Sequence, residues 1–162
     1  MTAAGALVSV AVAVWAALGV YVSATDLRRG IIPGRWVWRA GWAVAALLGA
    51  ACWLLGDPLR LAWAFAAAAG VGLGFEVIYR VSPEGVGFGD VRLIILNSLL
   101  VAWWGPQWAI WALLAGTLAA LPQAVASILR HGGKGHVRWG PYLVLGAAGV
   151  LAWRLAAHGP VG

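Results

Sequence analysis

Gly85-Val86-Gly87-Phe88-Gly89-Asp90 runs directly into Val91-Arg92-Leu93, and strongly apolar segments lie on both sides of it. An ionised aspartate at the edge of a hydrocarbon layer is expensive to keep, so it marks a functional position by default. The glycines ahead of it supply backbone without Cβ atoms, which lets another segment come close. A Gly-x-Gly-Asp string is weak alone. Its meaning depends on whether the chain supplies a second reactive group on the same side of a membrane.

Composition places this stretch in a membrane protein. Hydrophobic residues make up 63% of the 162 positions and charged residues only 10%, against about 25% charged in a soluble domain. The net charge of +6 would suggest nucleic acid in a soluble protein. Here the basic residues cluster in short loops between apolar runs, where they act as topology signals and contacts to anionic lipid. The expected partner is therefore the lipid bilayer and not nucleic acid. One membrane domain over residues 1–162 accounts for the whole length. Cys52 lies inside an apolar run and reads as a small buried hydrophobe. His131 and His136 share a Gly-rich basic loop but lack the helical spacing and carboxylate company of a metal site. No metal and no other cofactor is expected.

The fold class read from the apolar runs is an all-α polytopic membrane protein with about six transmembrane helices. The runs cover 3–24, 36–55, 61–79, 91–104, 108–129 and 139–157. The first is too long for a signal-peptide core and no basic residue precedes it, so it reads as a retained span. Pro33-Gly34 and Gly56-Asp57-Pro58 are turn signals, and Pro122 predicts a kink. Gly70, Gly72 and Gly74 offer a small-residue surface for close helix approach. The fourth run is short for a span. The Gly-rich loop before it is expected to dip into protein at membrane depth. Trp36, Trp38, Trp103, Trp104, Trp108 and Trp139 fall near expected helix ends, as interfacial belts do.

Six spans put loops 25–39, 80–92 and 130–138 on one side. They hold Arg28, Arg29, Arg35, Arg39, Arg80, Arg92, Arg130, Lys134 and Arg138, and only Arg60 and Arg154 remain for the other side. The positive-inside rule then places those loops in the cytoplasm. Asp26 and Asp90 consequently share one face, each at a membrane boundary. Alone, Asp26 reads as a helix-end carboxylate paired with Arg28 or Arg29. Two carboxylates brought within a few ångströms share a proton, so the ionised member can activate water while the protonated one polarises a carbonyl. Glu76 has two readings, an interfacial acid paired with Arg80 at i+4 or an acid that contacts or supports a substrate.

At these residues the chain resembles the type IV prepilin peptidases. Glu84-Gly85-Val86-Gly87-Phe88-Gly89-Asp90-Val91-Arg92-Leu93 resembles that family's GxGD signature. Asp26-Leu27-Arg28-Arg29 with Ile32-Pro33 resembles its first aspartate motif. Trp139-Gly140-Pro141-Tyr142-Leu143 with Leu145-Gly146-Ala147 resembles its C-terminal Gly-Pro-aromatic-Leu stretch. The resemblance implies an aspartic endopeptidase of the bacterial cytoplasmic membrane, with its active site facing the cytoplasm. It would cut the short basic leader from prepilins or pseudopilins, in pilus assembly or protein secretion. Asp26 and Asp90 carry over as the catalytic pair, with Glu76, Glu84, Gly87, Gly89 and Arg92 as substrate-contacting or supporting residues. Arg92 stands where the family usually has lysine, and Gly34 where asparagine is common. Longer members carry a cytoplasmic zinc-binding insert with paired cysteines and also N-methylate the product. The chain looks like the short, peptidase-only form found with Tad/Flp-type pili. A small transporter with carboxylates at broken helices and an inactive pilus-assembly scaffold are the readings from other classes.

The charge asymmetry makes a prediction. In a Cys52→Ala background, Lys134→Cys should resist an impermeant thiol reagent in intact cells and react after lysis. Labelling in intact cells would reverse the orientation.

Overall fold

The computed structural model describes residues 2–81, 87–131 and 137–161. Six α-helices account for nearly all of them: α1 (Ala3–Arg29), α2 (Gly34–Leu55), α3 (Pro58–Val81), α4 (Phe88–Val101), α5 (Gln107–His131) and α6 (Gly140–His158). A 3-10 turn, Ala102–Trp104, extends α4. All but α4 are long and apolar enough to cross a membrane. The protein is an all-α, polytopic membrane protein.

The helix ends differ from the apolar runs, and the differences matter for function. α1 does not stop near residue 24. Nothing in Thr25-Asp26-Leu27-Arg28-Arg29 breaks a helix, Thr25 bonds back to the Tyr21 and Val22 carbonyls, and Arg28 and Arg29 sit where the helix dipole favours cations. The helix ends at Gly30, whose φ of 65° suits glycine and whose N–H caps the Asp26 carbonyl. At 27 residues, α1 is about 40 Å long, against about 30 Å of hydrocarbon. Its last turn, with Asp26, is helical and not part of a loop. α2 starts at Gly34 with Pro33 at its N-cap, so the link between α1 and α2 is only Gly30 to Pro33. α5 runs through Pro122 as one helix.

α4 is the hub. It packs against α2, α3, α5 and α6, while α1 packs on α2 and α6, and α5 on α6. At 14 residues it covers about 21 Å, shorter than the roughly 30 Å of hydrocarbon until the 3-10 turn extends it, and most of its side chains are buried. Enclosure by protein allows it polar residues. The Asn97 side chain, 5% exposed, accepts a hydrogen bond from Trp15 Nε1 at 2.8 Å and donates one to the Leu143 carbonyl at 3.0 Å. One amide thus ties α1, α4 and α6 together.

Close helix approach occurs at one of the three expected glycines and at others outside that set. A Cβ on Gly72 would lie 2.6 Å from Ile95 Cγ1, so Gly72 does set the α3–α4 contact, but Gly70 and Gly74 meet nothing. The tightest pairing is α5 with α6. There Gly146 faces the backbone of Ala112 and Gly116, and a Cβ on Gly116 would lie 2.8 Å from the Tyr142 carbonyl oxygen. Trp36 and Trp38 are exposed near a helix end, as a belt requires, but Trp103 and Trp104 are buried. They follow the enclosed α4 and pack inward, with the Arg60 guanidinium 5.9 Å from the Trp103 ring.

Replacing Asn97 by leucine keeps its size but strands the Trp15 N–H and removes the donor to Leu143. Asn97→Leu should lower unfolding free energy in detergent by about 1–2 kcal/mol, measured by denaturant titration. An unchanged midpoint would show the amide to be dispensable.

Candidate active site

Both aspartates lie at the same end of the bundle, where α1 ends and α4 and α6 begin. Asp26 is in the last turn of α1 and is 6% exposed. Its backbone carbonyl accepts hydrogen bonds from Gly30 N–H at 2.8 Å and from Arg138 Nη1 at 2.9 Å. The second bond holds the end of α1 to the segment leading into α6. Asp90 is the third residue of α4, after an N-cap at Gly87, and its N–H donates to the Gly87 carbonyl at 3.0 Å. It faces the positive end of the α4 dipole.

Ile32, in the short α1–α2 link, joins the two positions. A Cβ on Gly89 would lie 2.7 Å from Ile32 Cβ. A Cβ on Gly140 would lie 2.9 Å from Asp26 Oδ2 and 3.1 Å from Ile32 Cδ1. The Ile32 side chain is thus seated between the turn that carries Asp90 and the glycine that faces Asp26. Any larger residue at 89 or 140 would push on this seat. A Cβ on Gly87 would lie 3.0 Å from Asp90 Oδ2, so that glycine leaves the carboxylate its rotamer.

The remaining candidates divide. Arg92 extends from α4 toward α2, and its guanidinium occupies the place that a side chain at Gly34 would take. It lies over the Phe88 ring, 4.3 Å from the centroid, and its buried Nε has no acceptor among the described residues. Glu76 pairs with Arg80, Oε1 to Nη2 at 2.8 Å, as the i, i+4 spacing predicts. It also lines a groove shared with Arg92. Glu84 and Gly85 lie outside the described residues. The described residues contain no group of three or more His, Cys, Asp or Glu that could hold a metal ion.

Sequence reading passed over Ile32, Gly140 and Arg138 as parts of the site. Arg138 looked like one topology charge among nine, and Gly140 stood only within the C-terminal stretch of the resemblance. No periodicity marks a residue that matters because it has no side chain.

Gly34 and Arg92, the two positions where the resemblance leads one to expect asparagine and lysine, lie far apart in the sequence, and in the structure they touch. Gly34→Asn should therefore collide with Arg92 and destabilise the fold by about 1–3 kcal/mol. Adding Arg92→Lys should recover at least half of that, a coupling measurable by a double-mutant cycle. Additive effects would dissolve the pair.

The family comparison covers the helices that carry both aspartates but not α6. Residues 13–125 match the model of the type IV leader peptidase family, a span that includes Asp26, Ile32, Gly34, Gly87, Gly89, Asp90 and Arg92 but stops before Arg138 and Gly140. No curated protein and no solved structure gives a significant match. The matched span is more than two thirds of the chain and contains both aspartate-bearing turns, and on that ground the protein belongs to the type IV leader peptidase family.

Proposed function

We propose that residues 1–162 act as one aspartic endopeptidase domain that removes the short basic leader of prepilin- or pseudopilin-like proteins. Cleavage takes place at the cytoplasmic face of a bacterial inner membrane, with Asp26 and Asp90 as the catalytic pair. Family membership makes the protein a leader peptidase in kind. The observation that carries the finer reading is the seat of Ile32, which gathers Asp26 from α1 and Asp90 from α4 at one end of the bundle.

The chemistry follows from the residue type. One ionised carboxylate takes a proton from water, and the water oxygen attacks the scissile carbonyl carbon. The second, protonated carboxyl donates a hydrogen bond to the carbonyl oxygen as negative charge develops there. The tetrahedral species then collapses, the C–N bond breaks, and a proton passes to the leaving amine. Arg138 acts on this pair by holding the Asp26 backbone. With one cysteine in the chain, the paired-cysteine insert of longer relatives has no counterpart here, and no methyl transfer accompanies cleavage.

Asp→Asn keeps size and much hydrogen bonding but removes the titrating oxygen. Asp26→Asn and Asp90→Asn should each reduce leader cleavage by about a thousandfold or more, with the protein still inserted and folded. The double variant should be no worse than either single one, because residues acting as a unit are not additive. Asp57→Asn should cleave normally, since Asp57 pairs with Arg60 at the opposite end of the bundle. Mass spectrometry of a processed substrate's amino terminus reads these outcomes. Substantial cleavage by either single variant would reject the dyad.

A further inference from the structure

α2 and α3 are joined by a tight turn at the end far from the aspartates, and between them lies a groove floored by α4. Its volume is about 400 Å³, and its walls are apolar. Trp38, Gly41, Ala69, Gly72, Leu73 and Leu96 are among its lining residues. We propose that this groove seats the first turns of the substrate's apolar helix, the part that directly follows the scissile bond. The proposal rests on the peptidase reading above and adds where the substrate lies.

Three observations carry it. The first is length. Lining residues run from 37 to 45 on α2, 65 to 76 on α3 and 92 to 99 on α4, which is about 10–16 Å along the helix axes, or two to three helical turns. The groove therefore reaches from the aspartate end to about the middle of a hydrocarbon layer. It takes the start of a helix and leaves the rest in lipid. Small residues at 41 and 69 let a visiting backbone come close.

The second is continuity with the active site. The floor of the groove is the helix that carries Asp90, and Arg92, two residues on, lines the mouth. Other apolar grooves open on the surface among the described residues. One lies between α1 and α2 beside Tyr21 and Arg39, another between α5 and α6 beside Trp108 and Trp153. Neither is lined by α4, the helix that carries Asp90. The third is the donor at the mouth. Arg92 Nε is buried without an acceptor among the described residues. A substrate chain leaving its helix toward the scissile bond exposes backbone carbonyls that have lost their intrahelical partners, and these suit that donor.

The probe is a synthetic peptide with a Lys-rich leader joined to an apolar helix long enough to span a bilayer. It carries a single cysteine in the helix's second turn. In Cys52→Ala protein that also carries Asp90→Asn to prevent turnover, Ala69→Cys and Leu73→Cys should form disulfides with this peptide. Leu118→Cys, on a face of α5 that is 63% exposed, should not. In catalytically intact protein, Ala69→Trp should raise KM for the peptide about tenfold with a much smaller change in kcat. A peptide truncated after the first helical turn should lose that discrimination. Cross-linking at 118 equal to that at 69 and 73, or absent at both groove positions, would overturn the proposal. So would an unchanged KM, or a loss confined to kcat, and either would leave a lipid acyl chain as the occupant. If Ala69→Trp fails to accumulate, the cross-links decide. Wild-type cleavage of the same peptide is the separate readout. A protein that cleaves but does not cross-link loses only the groove, whereas one that never cleaves loses the peptidase reading and this proposal together.

Discussion

The contact on which the functional end depends is the seating of one partly buried apolar side chain between two glycines. Ile32 fills the space left by the missing Cβ atoms of Gly89 and Gly140. Around it meet the end of α1, the start of α4 and the start of α6. A membrane supplies no hydrophobic drive between helices, so such contacts rest on shape and on hydrogen bonds. A lost methylene here would leave a gap that the surrounding backbone cannot close. An added one would force apart the two segments that carry the aspartates.

Architecture was legible in the sequence because hydropathy reports lipid exposure directly. About six transmembrane helices, the fourth of them short, followed from run lengths, and that shortness was the reason to expect the Gly-rich loop before it to dip into protein. Helix ends were less legible. Hydropathy falls where side chains become charged, but α1 continues until Gly30 ends its hydrogen bonding. Asp26 therefore belongs to a helix. Trp103 and Trp104 were misplaced for a related reason. Their position in the sequence resembles an interface, but they follow a helix surrounded by protein, and they are buried. The aspartates themselves could be singled out because charge is rare in this chain. Ile32 and Gly140 stood only as members of the resembling stretches, and Asn97 stood out in no way, because their importance lies in which distant residue faces them.

Motif departures gain meaning from the same geometry. Read along the chain, glycine at 34 and arginine at 92 are two unrelated exceptions to a pattern. In space, the guanidinium of Arg92 occupies the volume that a side chain at 34 would need and rests on the ring of Phe88. A longer, planar cation is accommodated because its neighbour is absent. The two form one packing unit that joins the first turn of α2 to the first turn of α4, beside the turn that bears Asp90.

Bilayers differ in thickness, and spanning helices answer by tilting. Such tilting would ordinarily change the spacing of any two groups carried on different helices. Here the Asn97 amide fastens α4 to Trp15 of α1 and to Leu143 of α6, about 10 Å below Asp90 along the helix, where no water competes for its bonds. Arg138 fastens α1 again at Asp26. α1 and α6 are thereby braced at two depths, with α4 tied to both of them at the deeper one. A peptidase built this way would hold its aspartate geometry across membranes of differing lipid composition.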